Sequence, residues 1–161
     1  MIIMLISVIL LVSLDQFTKY LTVININEGT SIPLIKNIFE LSYVKNPGAA
    51  FGILQDKRWF FIILTTIIVI TIIYYYIKLP KSKRYNDMRF TLVLFIAGAL
   101  GNFIDRIRFG YVVDMLYFKL IDFPVFNVAD CYVVVGAFLL IILMLFKYKE
   151  EEFGFKNRST K

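Results

Sequence analysis

Residues 59–77 read WFFIILTTIIVITIIYYYI and contain no charged side chain. Three further apolar segments of similar length cover about residues 2–22, 90–109 and 127–146. A hydrocarbon core of about 30 Å needs roughly 20 apolar residues of helix to cross it. The chain is 59% hydrophobic and 19% charged, with a mean hydropathy of +0.73, which is typical of membrane proteins. We therefore expect one polytopic domain over residues 1–161, a mainly α membrane protein with four transmembrane helices.

The first apolar segment has an alternative interpretation as a secretory signal sequence, because MIIMLISVILLVSL has a suitable length. It lacks both a basic N-terminal region and a small-residue cleavage site, and it continues into DQFTKYL. These features favour a retained transmembrane helix.

Lysine and arginine are unevenly distributed among the connections between the spans. Five lie in residues 78–89 and five in residues 147–161, whereas the longer connections 20–58 and 107–126 together hold six. The positive-inside rule therefore predicts that both termini and the 78–89 loop are cytoplasmic. No nucleic-acid partner is expected, because the basic residues flank spans and do not form one patch with interleaved aromatics.

Residues 23–58 form the one sizeable region outside the spans. The stretches TVININEGTSIPLIKN and IFELSYV combine β-branched residues with loose alternation, and Gly29 and Pro33 interrupt them. We expect a small extracytoplasmic β-sheet on the outer membrane face. The second outer connection, GYVVDMLYFKLIDFPVF, is expected to add a hairpin.

Polar residues within the spans are predicted to lie at one depth. A helical rise of about 1.5 Å per residue places Asp15, Asn102, Asp105 and Asp130 about 20 to 25 Å above the cytoplasmic edge. Ionisable groups inside a membrane are costly, so their default interpretation is a functional, inward-facing site. Asp15 and Lys19 also have the i, i+4 spacing of an intrahelical ion pair.

The stretch GALGNFIDR places Gly98, Asn102 and Arg106 on one helix face, because they repeat every four residues. Small residues such as Gly98 and Gly101 allow another helix to approach closely. The sequence also allows Arg106 to form an ion pair with Asp105.

Asp114 and Asp130 are the candidates for acid-base chemistry. Asp130 has a structural alternative, because Asn127 and Asp130 have the spacing of a capping box at the start of the fourth span. Asp114 follows the end of a helix within the apolar stretch VVDML and has no such local role. Two carboxyl groups that converge on a partly desolvated site share one proton, so that one acts as a base and the other as an acid.

Competing chemistries are restricted by composition. The chain has no histidine, so a Ser-His couple cannot form, and its one cysteine excludes an intramolecular disulfide. Neither a metal nor a cofactor is expected. A Ser-Lys dyad of Ser42 and Lys45 remains a formal alternative, although their spacing in a strand directs them to opposite faces. Cys131 is interpreted as a small buried hydrophobic residue.

The ordered motifs LDQFTK, KNPGAAFG, GALGNFIDR, VVDML and FNVAD span nearly the whole chain, which resembles the lipoprotein signal peptidases, the bacterial type II signal peptidases. The resemblance implies an aspartic endopeptidase that cleaves diacylglyceryl-modified prolipoproteins before the lipidated cysteine. It implies that Asp114 and Asp130 are catalytic. It further implies supporting polar roles for Asp15, Lys19, Asn46, Asn102, Arg106 and Asn127, and small-residue roles for Gly48, Ala49, Ala50 and Gly98.

The same resemblance implies a location in the bacterial cytoplasmic (inner) membrane, with the active site near the extracytoplasmic face. The expected partners are lipid-modified prolipoproteins and membrane lipids, and the chain is expected to act as a monomer. With such a substrate, Arg106 could position the lipid phosphate or the substrate backbone, and the pair with Asp105 stays an open alternative. In NPGAAFG, small side chains leave room for a peptide backbone that Asn46 could bind, although a tight turn would use the same residues.

Two other classes of function are alternatives to the peptidase. A small proton-coupled exporter would also carry intramembrane carboxylates, but its acidic residue would lie near the midplane. A noncatalytic assembly subunit would tolerate Asp114→Ala.

Overall fold

The computed structural model describes residues 1–48, 57–149 and 152. Helix α1 spans Ile2–Asn25, α2 spans Arg58–Lys78, α3 spans Asn86–Phe109 and α4 spans Val128–Phe146. Strands β1 (Ser31–Ile35), β2 (Phe39–Asn46) and β3 (Val112–Tyr117) form the sheet, and one-turn 3₁₀ helices cover Lys83–Tyr85 and Lys119–Ile121. The predicted fold class is confirmed, because four long apolar helices accompany a small antiparallel sheet. The predicted positions Ala49 and Ala50 lie outside the described residues.

Helices α1 and α3 extend beyond the apolar segments that predict them. Helix α1 continues to Asn25, whose side chain donates to the carbonyl of Leu21, and α3 begins at Asn86 with Asp87 in its first turn. The apolar run predicts only the part of a helix that lies in the hydrocarbon core. The backbone hydrogen bonds of the helix can continue into the polar interface.

Helix α3 lies at the centre of the bundle and packs against each of the other three helices. Its residues Val93, Leu94, Ile96 and Ala97 are buried. Gly98 permits close packing against α4. A Cβ atom added to Gly98 would lie 2.5 Å from the carbonyl oxygen of Ala129. The close helix approach expected from this glycine is therefore present.

The outer surface of the bundle is apolar. Helix α2 buries only Val69, while Trp59, Ile63, Ile67 and Ile70 are among its exposed side chains. A helix that exposes such residues would be insoluble in water, so this surface suits contact with lipid.

The sheet lies at one end of the bundle, with strand order β1-β2-β3 and antiparallel pairing throughout. Val44 pairs with Asp114, and Asn46 pairs with Val112. The expected hairpin in the second connection is reduced to one bridge between Leu116 and Phe126, because β3 pairs with β2 of the first connection. Both connections therefore contribute to one sheet.

Two features attach strand β3 to the helices. Gly110 ends α3 with φ of 86°, a left-handed conformation that glycine adopts without steric cost, and β3 starts two residues later. Val113 and Met115 then pack against Ile26 and Tyr43 in a small core beneath the sheet. Asp114, which lies between them in sequence, is thereby fixed close to the end of α3.

Candidate active site

Asp114 on β3 and Asp130 in the first turn of α4 bind the same residue. The Asn127 side chain donates from Nδ2 to Asp114 Oδ1 over 2.6 Å. The Asn127 backbone N–H donates to Asp130 Oδ2 over 3.1 Å. A strand and a helix thus bring the two candidate catalytic carboxyl groups to one asparagine.

Two further asparagines bind the other carboxyl oxygens. Asn46 Nδ2 at the end of β2 donates to Asp114 Oδ2 over 2.9 Å, and Asn102 Nδ2 on α3 donates to Asp130 Oδ1 over 2.7 Å. Asn127 Nδ2 also donates to Asn102 Oδ1 over 3.1 Å. Every oxygen of the two carboxyl groups therefore has an N–H donor, and neither group can rotate without losing a hydrogen bond.

Asn127 also forms the capping box that the sequence offers as a structural alternative. Its Oδ1 accepts from the Asp130 backbone N–H over 3.0 Å, while Asp130 accepts in return from the Asn127 backbone. Asn127 is completely buried. The cap and the link to Asp114 use different atoms of this residue, so the structural and functional interpretations hold together.

Beneath the two carboxyl groups lies the buried ion triad, which we define as Asp15, Lys19 and Asp105. Lys19 Nζ lies 2.9 Å from Asp15 Oδ2 and 3.0 Å from Asp105 Oδ2. It also donates to Asn102 Oδ1 over 3.0 Å. The predicted Asp15–Lys19 ion pair is present, and Asp105 pairs with Lys19 and not with Arg106.

Gln16 is the polar site residue that the sequence analysis missed. Its Nε2 donates to Asp105 Oδ1 over 2.8 Å, to the Gly101 carbonyl over 3.2 Å and to Asp15 Oδ2 over 3.3 Å. An amide placed directly after Asp15 inside an apolar span was the signal that could have identified it.

Arg106 binds a backbone segment next to the carboxyl groups. Its Nη2 donates to the Gly48 carbonyl over 2.9 Å, and its guanidinium lies over the Phe61 ring with 4.6 Å to the centroid. Asn46 Oδ1 accepts from the Gly48 N–H over 3.0 Å. Asn46 therefore both forms a local turn and binds Asp114, while Arg106 holds the chain just after that turn.

A cavity of about 760 Å³ opens beside Asp114 and Asp130. Its polar end is formed by the site asparagines and Arg106, whereas Phe118, Ile121 and Val134 contribute to a long apolar wall. Cys131 lines this cavity and is half-buried, so its prediction as a buried hydrophobic residue is wrong. The sequence placed Cys131 correctly on α4 but could not say which face of that helix meets a cavity.

The environment raises the pKa of Asp114 from its ordinary value of 3.8 to about 7. Burial is the main cause, and the negative charge of Asp130 acts in the same direction. Hydrogen bonds from Asn46 and Asn127 act in the opposite direction but are outweighed. Asp114 therefore holds a proton at pH values where an exposed carboxyl group is ionised.

The formal Ser-Lys alternative is not assembled. Ser42 Oγ donates to the carbonyl of Thr30 over 3.2 Å, while Lys45 Nζ pairs with Glu28 at 2.6 Å. Among the described residues, no group of three or more histidine, cysteine, aspartate or glutamate side chains is arranged to hold a metal ion.

The fold and site together define a class: a polytopic membrane protein with a buried cluster of carboxyl, ammonium and amide groups at one end of its helical bundle. A family model described as signal peptidase (SPase) II matches residues 7–146. The chain therefore belongs to the signal peptidase II family, and it is a multi-pass bacterial membrane protein of a peptidase family.

Proteins of similar sequence include two named lipoprotein signal peptidase. One, from Caldanaerobacter subterraneus subsp. tengcongensis, is 51% identical over 137 residues, which cover 84% of this chain and 91% of the relative. The other, from Streptococcus pyogenes serotype M5, is 43% identical over 148 residues, which cover 92% of this chain and 94% of the relative.

Two solved structures, both described as bacterial membrane enzymes, have the same fold. The first has a TM-score of 0.80 and 37% identity, and the match covers 98% of this chain and 94% of that structure. The second has a TM-score of 0.78 and 38% identity, with coverage of 90% and 94%. Membership of a peptidase family favours the peptidase interpretation over the exporter and the noncatalytic subunit.

Proposed function

We propose that this chain is an aspartic endopeptidase that removes the signal peptide from diacylglyceryl-modified prolipoproteins. It cleaves before the lipidated cysteine and uses Asp114, Asp130 and an activated water. The observation that carries the proposal is the joining of these two carboxyl groups through Asn127. Membership of the signal peptidase II family supports the same reaction.

The two aspartates have different roles because their surroundings differ. Asp130 lies in the first turn of α4, where a backbone N–H and the positive end of the helix dipole stabilise a negative charge. Asp114 is only 2% exposed, and its pKa of about 7 leaves it protonated in about half of the molecules at neutral pH. Asp130 is therefore the base and Asp114 the acid.

The reaction follows from this asymmetry. Asp130 takes a proton from water as the water oxygen attacks the scissile carbonyl carbon, and Asp114 donates its proton to the carbonyl oxygen. When the tetrahedral intermediate collapses, the proton on Asp130 passes to the leaving amine. A hydroxyl group of the intermediate returns its proton to Asp114 as the C=O of the new carboxyl group forms. The products are a signal peptide with a new carboxyl group and a lipoprotein with a free amino group on its lipidated cysteine.

The cavity beside the two carboxyl groups suits an amphipathic substrate. Its apolar wall joins Phe118 and Ile121 of the β3–α4 connection to Val134 on α4, a helix whose outer surface is apolar. The salt bridge between Lys119 and Glu40 at 2.7 Å attaches that connection to the sheet. We assign the apolar wall to the acyl chains and apolar signal residues, and the polar end to the scissile peptide bond.

Arg106 acts on the substrate through the backbone segment that it holds. It fixes the Gly48 carbonyl, and Asn46 fixes the Gly48 N–H from the other side. We assign this short segment to contact with the substrate backbone, because it borders the same cavity as Asp114. Ala49 and Ala50 continue this segment in sequence.

The proposed location is the bacterial cytoplasmic membrane, with both termini cytoplasmic. The distribution of basic residues supports this orientation. In the proposed orientation, the sheet and both carboxyl groups lie near the extracytoplasmic face. One chain supplies both aspartates and all three asparagines, which supports action as a monomer.

The proposal is tested with the purified protein in detergent and a lipid-modified precursor, with product masses determined by mass spectrometry. We expect a product that begins at the lipidated cysteine, and no product from Asp114→Asn or Asp130→Asn. Asp87→Asn is the matched control, because Asp87 is an exposed aspartate on the first turn of α3 that pairs with Lys147. Efficient cleavage by both site variants would refute the dyad, and inhibition by a chelator would contradict a metal-free mechanism.

A further inference from the structure

The buried ion triad binds the backbone immediately before each member of the dyad. Asp15 Oδ1 accepts from the Ala129 N–H over 2.9 Å, and Ala129 precedes Asp130. Asp105 Oδ2 accepts from the Val113 N–H over 3.1 Å, and Val113 precedes Asp114. Each dyad residue thus has a neighbour attached to one carboxylate of the triad.

Lys19 joins these two attachments into one unit. Its ammonium contacts Asp15, Asp105 and Asn102 at 2.9 to 3.0 Å, so each of its three N–H groups has an acceptor. The side chain is buried, with 2% of the residue exposed. Moving either aspartate would break an ion pair in a region that water does not reach, which makes the unit rigid.

Lys19 also determines the orientation of Asn102. Because an ammonium only donates, it requires the Oδ1 atom of Asn102 to face it. The Nδ2 atom of Asn102 then faces Asp130 and donates over 2.7 Å. The triad therefore reaches Asp130 through its carboxyl group as well as through its backbone.

Gln16 and Gly101 complete the unit. Gln16 Nε2 connects the two carboxylates and the Gly101 carbonyl, so α1 and α3 keep one spacing at this level. Gly101 leaves space for Asp15, because an added Cβ would lie 2.6 Å from Asp15 Oδ2 and 2.9 Å from the Ala129 Cβ. A methyl group at this position would force Asp15 or Ala129 to move.

We propose that the buried ion triad, closed by Gln16, is a positioning device that sets the separation of Asp114 and Asp130. The inference rests on the proposed function, because it assigns the purpose of the triad to the dyad. The triad residues and Gln16 are positioning residues, since they act through the backbone and through Asn102. A displacement of about 1 Å at a reacting group can lower a rate by about 100-fold.

Gln16→Met is the first test, because it removes the amide and changes neither a charge nor a dyad residue. We expect kcat per folded molecule to fall by about tenfold with KM unchanged, because binding groups stay in place while the reacting groups separate. Thr22→Val is the control: it removes a buried hydrogen bond on the same helix, from Thr22 Oγ1 to the Thr18 carbonyl. This control is expected to have wild-type kcat.

Gly101→Ala is the second test and is expected to lower kcat more strongly, by about 100-fold. Its control is Gly136→Ala on α4, where the added Cβ meets Phe95 at an ordinary contact distance of 3.4 Å. If Gly101→Ala does not yield a monodisperse protein, Gln16→Met decides the question. Wild-type kcat per folded molecule in Gln16→Met would overturn the proposal.

The pH profile separates positioning from a merely structural role. Asp114 is surrounded by Asp130 on α4, Lys19 on α1 and Arg106 on α3, and only the separation from Asp130 is expected to increase in the variants. The basic limb of the kcat profile should then move to lower pH, because Asp130 would raise the pKa of Asp114 less. An unchanged limb would overturn the proposal, whereas full activity of Asp114→Asn and Asp130→Asn would instead remove the proposed function.

Discussion

Asn127 donates its side-chain amide to Asp114 over 2.6 Å while its other atoms cap the helix that carries Asp130. The first contact crosses from α4 to a strand, and the cap stays within one helical turn. A change in the start of α4 would therefore move Asp130 relative to Asp114. This relationship makes a common capping motif a candidate part of a catalytic centre.

Replacement of Asn127 by alanine should separate these two roles. We expect Asn127→Ala to lower stability by about 1 kcal/mol through loss of the cap, and kcat by at least about 100-fold through loss of the bridge. Ser82→Ala is the matched control, because Ser82 caps the one-turn helix Lys83–Tyr85 away from the site. Processing rates and thermal unfolding of both variants test this, and near wild-type kcat in Asn127→Ala would contradict it.

Asp114 should make stability depend on pH. Its pKa rises from 3.8 to about 7 on folding, so the folded state binds a proton that the unfolded state has lost. The contribution of this proton to the free energy of unfolding is fully present below about pH 4 and is lost as the pH rises through about 7. The free energy of unfolding therefore changes by at most about 4 kcal/mol between low and high pH. This limit corresponds to a shift of about three pKa units at about 1.36 kcal/mol each.

Asp114→Asn should remove this dependence, because asparagine carries no charge at any pH. The variant should gain apparent stability over the wild type between pH 4 and pH 8, with most of the gain complete near pH 7. Thermal unfolding in detergent at pH 4, 6 and 8 measures the difference. A difference that stays constant over this range would show that burial does not raise the pKa of Asp114.

Arg106→Lys should weaken substrate binding more than chemistry. Lysine keeps the charge but loses the planar group that binds the Gly48 carbonyl and covers Phe61. We expect KM to rise about tenfold with a smaller change in kcat. Arg89→Lys is the control, because Arg89 similarly binds loop carbonyls of Leu79 and Ser82 but lies away from the site. An equal effect in both variants would argue against the assigned role of Arg106.

Narrowing the cavity should affect substrates with long acyl chains more than substrates with short ones. Val134→Trp adds bulk to the apolar wall, whereas Ile141→Trp adds it to an exposed position farther along α4 that does not line the cavity. We expect Val134→Trp to raise KM for substrates with long acyl chains more than for short ones. Equal KM changes for both chain lengths would place the acyl chains elsewhere.

Local spacing explains which parts of the site the sequence could predict. The Asp15–Lys19 pair and the Asn127–Asp130 cap depend only on helical periodicity, and both are present. Gln16 was missed, and the burial of Cys131 was predicted wrongly. Both errors arise because the rotation of a helix relative to its neighbours is set by packing between distant segments. The periodicity of one helix contains no such information.

Strand pairing limited the fold prediction in the same way. The second connection has the composition of a hairpin, yet β3 pairs with β2, more than sixty residues earlier in the chain. Only Leu116 and Phe126 form the local bridge, and Pro124, which lacks an N–H donor, lies within the returning segment. Helix number and type were predictable because four apolar runs of sufficient length allow few alternatives.

The central claim is that Asp114 holds a proton up to about pH 7 and that the negative charge of Asp130 contributes to this. Carboxyl ¹³C NMR of aspartate-labelled protein in detergent tests it most directly, with the Asp114 signal assigned by its loss in Asp114→Asn. We expect a midpoint near pH 7 in the wild type and a lower one in Asp130→Asn, where the neighbouring charge is gone. A wild-type midpoint close to 3.8, or the same midpoint in Asp130→Asn, would contradict it.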